Sequence, residues 1–80
     1  MSNIEKYDKA FIESFAVEKE KLKGLKYQDI SAWDSIGHMQ LMAELEDEFE
    51  IELDIDDIID FSSYEVGQGI LKKYSVELDT

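Results

Sequence analysis

Residues 33–50, which read WDSIGHMQLMAELEDEFE, decide the fold of this 80-residue chain. The apolar residues in this stretch recur at helical spacing and form one stripe, while acidic residues occupy the opposite side. Asp34 and Ser35 come immediately before this pattern, and both are residue types that favour helix N-termini. We therefore predict a helix that begins at these two residues. Its apolar stripe consists of Ile36, Met39, Met42, Leu45 and Phe49.

Three further helices are predicted around this segment. The first begins with a capping box formed by Ser2 and Glu5, and its apolar residues keep helical spacing as far as Phe15. A short third helix is expected to follow Asp54 as its N-cap, and its polar residues are Asp56, Asp57 and Asp60. A last helix is expected after a second capping box, Ser62 to Glu65, with inward residues Val66, Ile70, Leu71 and Tyr74. Gly67 and Gly69 should weaken that helix by about 1 kcal/mol each.

The predicted fold class is all-α, a four-helix bundle with three longer helices and one short one. No segment alternates polar and apolar residues over a length sufficient for a sheet. A long loop should connect the first two helices, anchored by Leu22, Leu25 and Ile30, and loops of this length are often functional. Eighty residues leave room for a single modest core, so we expect one domain over residues 1–80.

The charge distribution indicates the kind of partner. The net charge is −12, all eight basic residues are lysines, and residues 28–63 contain twelve acids and no base. This excludes a basic nucleic-acid or membrane surface and favours partners with positive surfaces. The absence of cysteine excludes disulfides and zinc-thiolate sites. The longest uncharged stretch, residues 35–43, is far below the roughly 18 residues that a membrane span needs. With no targeting signal at the N-terminus, the expected location is the cytoplasm.

Ser35 is the most informative residue for function. It can be an ordinary N-cap, or it can be a modification site, because a helix N-terminus offers free N–H groups and a positive dipole to a phosphate. A nucleophile elbow is not present, because Trp33 occupies the position of its first glycine and no strand precedes it. His38, expected to be half-exposed near the cap, has no orienting partner in the pattern. We therefore predict no enzyme active site.

A metal site is not expected either. A calcium loop that began at Asp54 would need a polar ligand and a glycine where Ile58 and Ile59 stand. Met39 and Met42 lie on the apolar stripe and are interpreted as core residues rather than ligands.

These residues resemble the acyl carrier protein family over nearly the whole chain. The sequence Asp34-Ser35-Ile36 is similar to the family's Asp-Ser-Leu attachment motif at the start of the second helix. Residues 41–51 are similar to the acidic second helix, and residues 54–61 and 63–74 to the last two helices. The resemblance implies that Ser35 carries 4′-phosphopantetheine, transferred from coenzyme A by a separate Mg-dependent transferase. The thiol of this arm would then hold an acyl group as a thioester, and the protein would be a carrier, not an enzyme.

The resemblance also implies partners. Asp34 would help the phosphopantetheinyl transferase place its metal and Ser35, and acyl-loading and acyl-transfer enzymes with basic surfaces would bind an acidic docking face. We expect the carrier to be a monomer. The residues of the implied docking face are Ile36, Met39, Gln40, Glu46, Asp47, Asp56 and Asp57.

Three departures from the family pattern concern the pathway. Gln40 stands where the fatty-acid carriers usually have glutamate. Glu50 stands where they usually have glycine, which costs roughly 1 kcal/mol if the residue is left-handed. Trp33, Gly37 and His38 look more like carriers of specialised pathways.

Several alternatives stay open at this level. The cargo is an acyl group of fatty-acid or specialised biosynthesis, or else an aminoacyl or peptidyl group. In a third hypothesis the chain is an unmodified acidic interaction module in which Ser35 is only a cap. An acyl chain could fold back between the second and third helices, and the residues that could line such a space are also explained by plain core packing. These residues are Met39, Met42, Ile55, Ile58 and Ile59.

Overall fold

A computed structural model describes residues 2–78 of the chain. Met1, Asp79 and Thr80, which the predicted domain includes, lie outside the described residues. The all-α prediction is confirmed: four helices follow one another, the third is the shortest, and a long loop connects the first two. Over residues 2–78 the only β-type pairing is an isolated bridge between Lys26 and Ser63. The helices are α1 (Asn3–Phe15), α2 (Ser35–Phe49), α3 (Ile55–Asp60) and α4 (Tyr64–Lys72), and a 3-10 turn spans Lys19–Lys21.

Helix α1 begins at the predicted capping box. The Ser2 hydroxyl accepts the Glu5 N–H at 3.3 Å, and the Ser2 N–H donates to the Glu5 carboxylate at 2.9 Å. The helix ends at Ala16, whose left-handed backbone (φ 54°) stops the helical hydrogen bonding. Its buried side is aromatic, with Tyr7 and Phe11 fully inaccessible to solvent. This face packs against α2 and supplies four of the sixteen buried hydrophobic residues of the core.

The core is an aromatic cluster centred on Phe11. Its ring centroid lies 5.0 Å from that of Tyr7, 5.4 Å from that of Tyr64 and 5.6 Å from that of Trp33. Trp33 belongs to the loop before α2 and is fully buried, although the sequence pattern assigned it no place in the core. Edge and tilted contacts of this kind add stability beyond area burial. The main aliphatic residues of the core are Leu22, Leu25, Leu41, Met42, Leu45, Leu53, Ile70 and Leu71.

The long loop is fixed to the bundle at both ends of its path. Leu22 and Leu25 are buried and Ile30 packs against the core, as predicted. The loop backbone is also hydrogen-bonded to the segment that begins α4: the Tyr27 N–H donates to the Ser62 carbonyl, and the Tyr64 N–H donates to the Leu25 carbonyl, both at 2.9 Å. These contacts hold the loop against the start of α4.

The predicted start of α4 is wrong by one residue. Ser63, not Ser62, is the N-cap, and its hydroxyl accepts the Val66 N–H at 3.0 Å. Val66, predicted to face inward, is 43% exposed. The predicted weak position Gly67 has a packing role, because a Cβ there would lie 2.1 Å from the Phe61 ring and 2.3 Å from the Tyr7 hydroxyl.

Helix α3 begins after Asp54 as predicted, but the Asp54 side chain makes no capping hydrogen bond. The helix is held to the segment after α4 by Asp57, whose carboxylate accepts bonds from the Lys73 ammonium and the Tyr74 hydroxyl, both at 2.5 Å. The Tyr74 hydroxyl also accepts the Asp54 N–H at 2.9 Å. Asp57 is 5% exposed, so this residue of the expected docking face lies inside the fold.

The apolar stripe of α2 is only partly buried. Met42 and Leu45 lie in the core, but Ile36 is 79% exposed and Met39 is 53% exposed. The prediction of one continuous core stripe is therefore wrong at its N-terminal end, where the six-residue helix α3 is too short to cover the first turns of α2. At the other end Glu50 is left-handed (φ 54°), as the comparison with glycine suggested. None of the helices within residues 2–78 is long and apolar enough to cross a membrane.

Candidate functional site

Asp34 and Ser35 have different positions at the start of α2. Asp34 is the N-cap, and its carboxylate accepts the Gly37 N–H at 2.8 Å. Ser35 is the first helical residue, it is exposed, and its hydroxyl has no hydrogen-bond partner among residues 2–78. The interpretation of Ser35 as an ordinary cap is therefore wrong, because the neighbouring carboxylate already fills the capping position.

The end of α2 at Ser35 suits an attached phosphate. The backbone N–H groups of Ser35 and Ile36 have no partner within the described part of the chain. Such N–H groups, together with the positive end of the helix dipole, stabilise a negative group at the helix N-terminus. A phosphodiester on the Ser35 hydroxyl would be placed beside them, so the residues present fit a phosphate-linked arm.

Gly37 allows the loop to pass close to the first turn of α2. A Cβ on this residue would lie 1.9 Å from the Ala32 carbonyl oxygen and 3.3 Å from the Phe15 ring. Any larger residue would push the loop and the helix apart. Gly37 therefore fixes the orientation in which Ser35 is presented to solvent.

A mostly apolar groove of about 350 Å³ opens beside Ser35, between α2 and α3. Of the residues predicted to line a space here, Met39, Ile58 and Ile59 do so. Met42 is buried in the core, and Ile55 is 72% exposed and does not line the groove. The full lining is Tyr27, Ser35, His38, Met39, Ile58, Ile59, Phe61 and Ser62.

His38 joins three parts of the site. The Trp33 indole N–H donates to its Nδ1 at 2.9 Å, and its Nε2 lies 2.7 Å from the Ile58 carbonyl oxygen. Because the indole can only donate, Nδ1 must accept, and the ring proton is on Nε2, which donates to Ile58. The half-exposed position predicted for this residue agrees with its partial burial, but these two bonds were not foreseen.

A sequence signal for the contact between Trp33 and His38 was available. With Asp34 as N-cap, Trp33 is the residue before the cap and His38 is the fourth residue of the helix. These are the two positions of a hydrophobic staple, in which the side chains pack together across the helix start. Tyr27, Phe61 and Ser62 gave no such signal, since they reach the groove only through the tertiary fold.

The expected docking residues do not all reach the surface. Ile36, Met39, Gln40, Asp47 and Asp56 are exposed around and beyond Ser35. Two others make internal contacts, and this removes their carboxylates from a free docking face. Glu46 accepts the Leu53 N–H at 2.8 Å, and the buried Asp57 carboxylate forms an ion pair with the exposed Lys73 side chain. Hydrogen bonds from Lys73 and then from Tyr74 hold the pKa of Asp57 below its usual value.

The acidic residues form no metal-binding cluster in the described residues, where no three His, Asp or Glu side chains are grouped closely enough to hold an ion. Among the acids of residues 28–63, Asp57 is buried, and the others are exposed or partly exposed.

Residues 33–65 match the family model described as a phosphopantetheine attachment site. The match begins at Trp33, covers α2 and α3, and ends at the second residue of α4. Comparison with curated proteins and with solved structures gives no significant match. The resemblance to phosphopantetheine-dependent carriers is confirmed. The cofactor of this family is covalently attached 4′-phosphopantetheine, and its members are carriers rather than enzymes.

Proposed function

Because residues 33–65 match the family model of a phosphopantetheine attachment site, we propose that Ser35 is the residue that carries the arm and that the arm holds an acyl group. The observation that carries this proposal is the position of the Ser35 hydroxyl: exposed, without a hydrogen-bond partner in the described residues, at a helix N-terminus that Asp34 caps, and beside an apolar groove. Asp34 lies next to it and is available to help a transferase place its metal.

The loading step is a phosphoryl-group transfer. A bond forms between the Ser35 Oγ and the phosphorus atom that bears the pantetheine arm in coenzyme A. The phosphoanhydride bond of coenzyme A breaks, and adenosine 3′,5′-bisphosphate leaves. The hydroxyl proton passes to a base of the transferase. The thiol at the end of the arm would hold the acyl group as a thioester, after transfer from an activated acyl donor whose leaving group departs.

Intact mass measures this step directly. We expect the chain to gain one phosphopantetheine after incubation with coenzyme A, Mg²⁺ and a promiscuous phosphopantetheinyl transferase. Ser35→Ala should gain nothing. Ser62→Ala is the matched control, since Ser62 is exposed and lines the same groove, and it should load as the natural sequence does. Loading of Ser35→Ala, or no loading of the natural chain by a transferase that loads a known carrier, would reject the assignment.

The groove supports an acyl cargo over an aminoacyl one. None of its lining residues has a carboxylate, and a buried or half-buried ammonium group needs an opposite charge. Apolar side chains of Met39, Ile58 and Ile59 instead offer contacts to a hydrocarbon. The pathway, fatty-acid or specialised, is a separate question, and we retain a cytoplasmic, monomeric, single-domain carrier as part of the proposal.

The docking face of the proposed carrier consists of Ile36, Met39, Gln40, Asp47 and Asp56. Exposed acids attract basic partners over distances of about a Debye length and accelerate encounter without tight binding. Exposed Ile36 and Met39 supply an apolar centre beside Ser35. This arrangement favours short-lived complexes, which a shuttle requires.

Charge reversal tests this face. Asp47→Lys should lower the kcat/KM of the transferase several-fold at low salt, with a smaller effect at high salt. Glu18→Lys is the control, because it makes the same charge change in the exposed loop after α1. Equal effects of the two variants would indicate a response to net charge alone and would contradict a localised docking face.

A further inference from the structure

We propose that His38 is a specificity-determining residue, and that it restricts the groove beside Ser35 to short acyl groups. This inference rests on the proposed function. It concerns the boundary between the groove and the core, where the His38 ring lines the groove and forms a hydrogen-bonded plate with the buried Trp33 ring. The cargo class that follows is an acyl group short enough to lie in the groove without entering the bundle.

The plate consists of the His38 imidazole and the Trp33 indole. Their planes are 14° from parallel, and their centroids are 6.2 Å apart. Since the indole N–H and the lone pair of an imidazole nitrogen both lie in their ring planes, the 2.9 Å bond between them places the rings side by side. The bond from Nε2 to the Ile58 carbonyl, at 2.7 Å, extends this plate to α3.

The bond from His38 Nε2 to the Ile58 carbonyl matters because it gives this carbonyl a hydrogen-bond partner. This carbonyl belongs to the last turn of α3, where carbonyl groups have no partner within the helix. A chain that enters the core beside His38 would separate α2 from α3 and leave this carbonyl and the Trp33 N–H without partners. Buried polar groups are expensive to leave unpaired, so both bonds resist opening.

The core behind the plate is filled by aromatic rings. Phe15 is stacked on Trp33 with a centroid distance of 5.2 Å, and Phe11 contacts Trp33 edge-on at 5.6 Å. Phe61, which lines the groove, is backed by Phe11 at 6.2 Å. Trp33, Phe11 and Phe61 are each 1% exposed or less. A long hydrocarbon would have to displace several tightly packed rings, which is costly in an interior of this density.

The volume of the groove agrees with a short cargo. At about 350 Å³ it is near the lower end of the range for ligand pockets, about 300–1,000 Å³. The exposed side chains of Met39 and Ile59 form its outer walls. The end of an acyl chain that exceeds this groove would therefore remain in water.

The test compares butyryl and palmitoyl cargo on the natural chain. Both are loaded from the corresponding acyl-coenzyme A by a promiscuous transferase, and intact mass verifies each product. A cargo that binds the folded state raises Tm. We expect butyryl loading to raise Tm relative to the unacylated holo form, and palmitoyl loading to raise it no further. The indole N–H resonance of Trp33, the only tryptophan, should keep its chemical shift with both cargoes.

Variants identify the residues responsible. Ile59→Ala, in the groove wall, should reduce the rise in Tm caused by butyryl. Val66→Ala, an exposed apolar residue outside the groove, should not. His38→Ala opens the plate, and in this variant palmitoyl should raise Tm more than butyryl does. If His38→Ala does not fold, the comparison of butyryl and palmitoyl on the natural chain still decides whether the groove is restricted to short acyl groups.

The outcomes separate this inference from the proposed function. No mass gain on Ser35 would overturn the carrier assignment itself. Normal loading, combined with a larger Tm rise for palmitoyl than for butyryl and a shifted Trp33 indole resonance, would overturn the role of His38 and leave the carrier assignment intact. Normal loading with no Tm change for either cargo would also overturn it, because the groove would then bind no acyl group.

Discussion

Asp34 and Ser35 at the start of α2 have different roles, and the sequence alone could not decide which of them is the N-cap. Asp34 caps the helix by accepting the Gly37 N–H. The Ser35 hydroxyl therefore has no hydrogen-bond partner in the described residues. Either residue type is a good N-cap, and propensity does not choose between neighbours. The choice is made by Gly37, whose close approach to Ala32 fixes where the loop meets the helix.

Stability measurements should distinguish the two residues. Asp34→Ala is expected to lower the free energy of unfolding by about 1 kcal/mol through loss of the cap. Ser35→Ala should change it by less than about 0.5 kcal/mol, as is usual for surface positions without such a feature. Urea denaturation of both variants measures the difference. A larger cost for Ser35→Ala than for Asp34→Ala would mean that the serine is the cap.

For the residues around the site, the sequence pattern predicted the burial of some side chains but not of others. Periodicity put Ile36, Met42 and Leu45 on one apolar stripe, but only Met42 and Leu45 are buried, and Ile36 is exposed. Burial of Ile36 would need a side chain of another helix to cover it, and the six-residue helix α3 is short. The spacing of residues within α2 does not reveal this. Trp33 shows the converse, since loop residues have no period and its burial depends on the rings of α1.

At the scale of elements, prediction succeeded where a local signal marks a boundary. The capping box at Ser2 and the N-cap position at Asp54 gave the starts of α1 and α3. The start of α4 was missed by one residue because Ser62 and Ser63 are chemically equivalent. The bridge between Lys26 and Ser63 and the backbone bond from Tyr27 to Ser62 fix the register there, and both are long-range contacts.

The two glycines of α4 provide a matched test of packing against propensity. Gly67→Ala should lower the free energy of unfolding by about 1–3 kcal/mol, because its Cβ would overlap the Phe61 ring and the Tyr7 hydroxyl. Gly69→Ala has no atom within 4 Å of the new Cβ, so it should stabilise the fold by up to about 1 kcal/mol. Thermal unfolding of both variants measures these changes. Similar effects at the two positions would show that α4 does not pack on α1 as described.

The link between α3 and the end of α4 should depend on pH. The pKa of Asp57 is lowered by the Lys73 and Tyr74 bonds, so its contribution to stability is present above the ordinary aspartate pKa of 3.8 and is lost as the pH falls through the lowered pKa. The pKa of Lys73 is raised mainly by its bond to Asp57, so its contribution is lost only as the pH rises above 10.5 and through the raised value.

The stability difference between the natural chain and Asp57→Asn should therefore be largest between about pH 4 and pH 10 and should shrink at both extremes. Denaturant unfolding as a function of pH gives this difference, in which the titration of the other acids largely cancels. Asp56→Asn, an exposed neighbour, serves as the control and should have little effect at any pH. A difference that is independent of pH would contradict the ion pair.

At the scale of the whole molecule, repulsion among the acidic side chains destabilises the fold, and packing of the core stabilises it. The chain has a net charge of −12, and the dimensions of the described part are 30 × 26 × 19 Å. Most acids are thus within one Debye length of one another at about 0.01 M salt, where this length is about 30 Å, whereas at 0.1 M it is about 10 Å and the repulsion is largely screened. Within residues 2–78 the only ion pair is the one between Asp57 and Lys73, so internal cations compensate little of this repulsion. The same acids are available to a basic partner, which would relieve the repulsion on docking.

Added salt should therefore stabilise the free protein. We expect Tm to rise between low and moderate KCl, and to rise more in MgCl₂ at equal ionic strength, because a divalent cation associates more strongly with clustered carboxylates. The double variant Asp47→Asn and Glu52→Gln, which removes two exposed charges, should be more stable than the natural chain at low salt and should gain less from added salt. A Tm that does not change with KCl, or an equal salt response in the double variant, would show that repulsion among the surface acids does not limit stability.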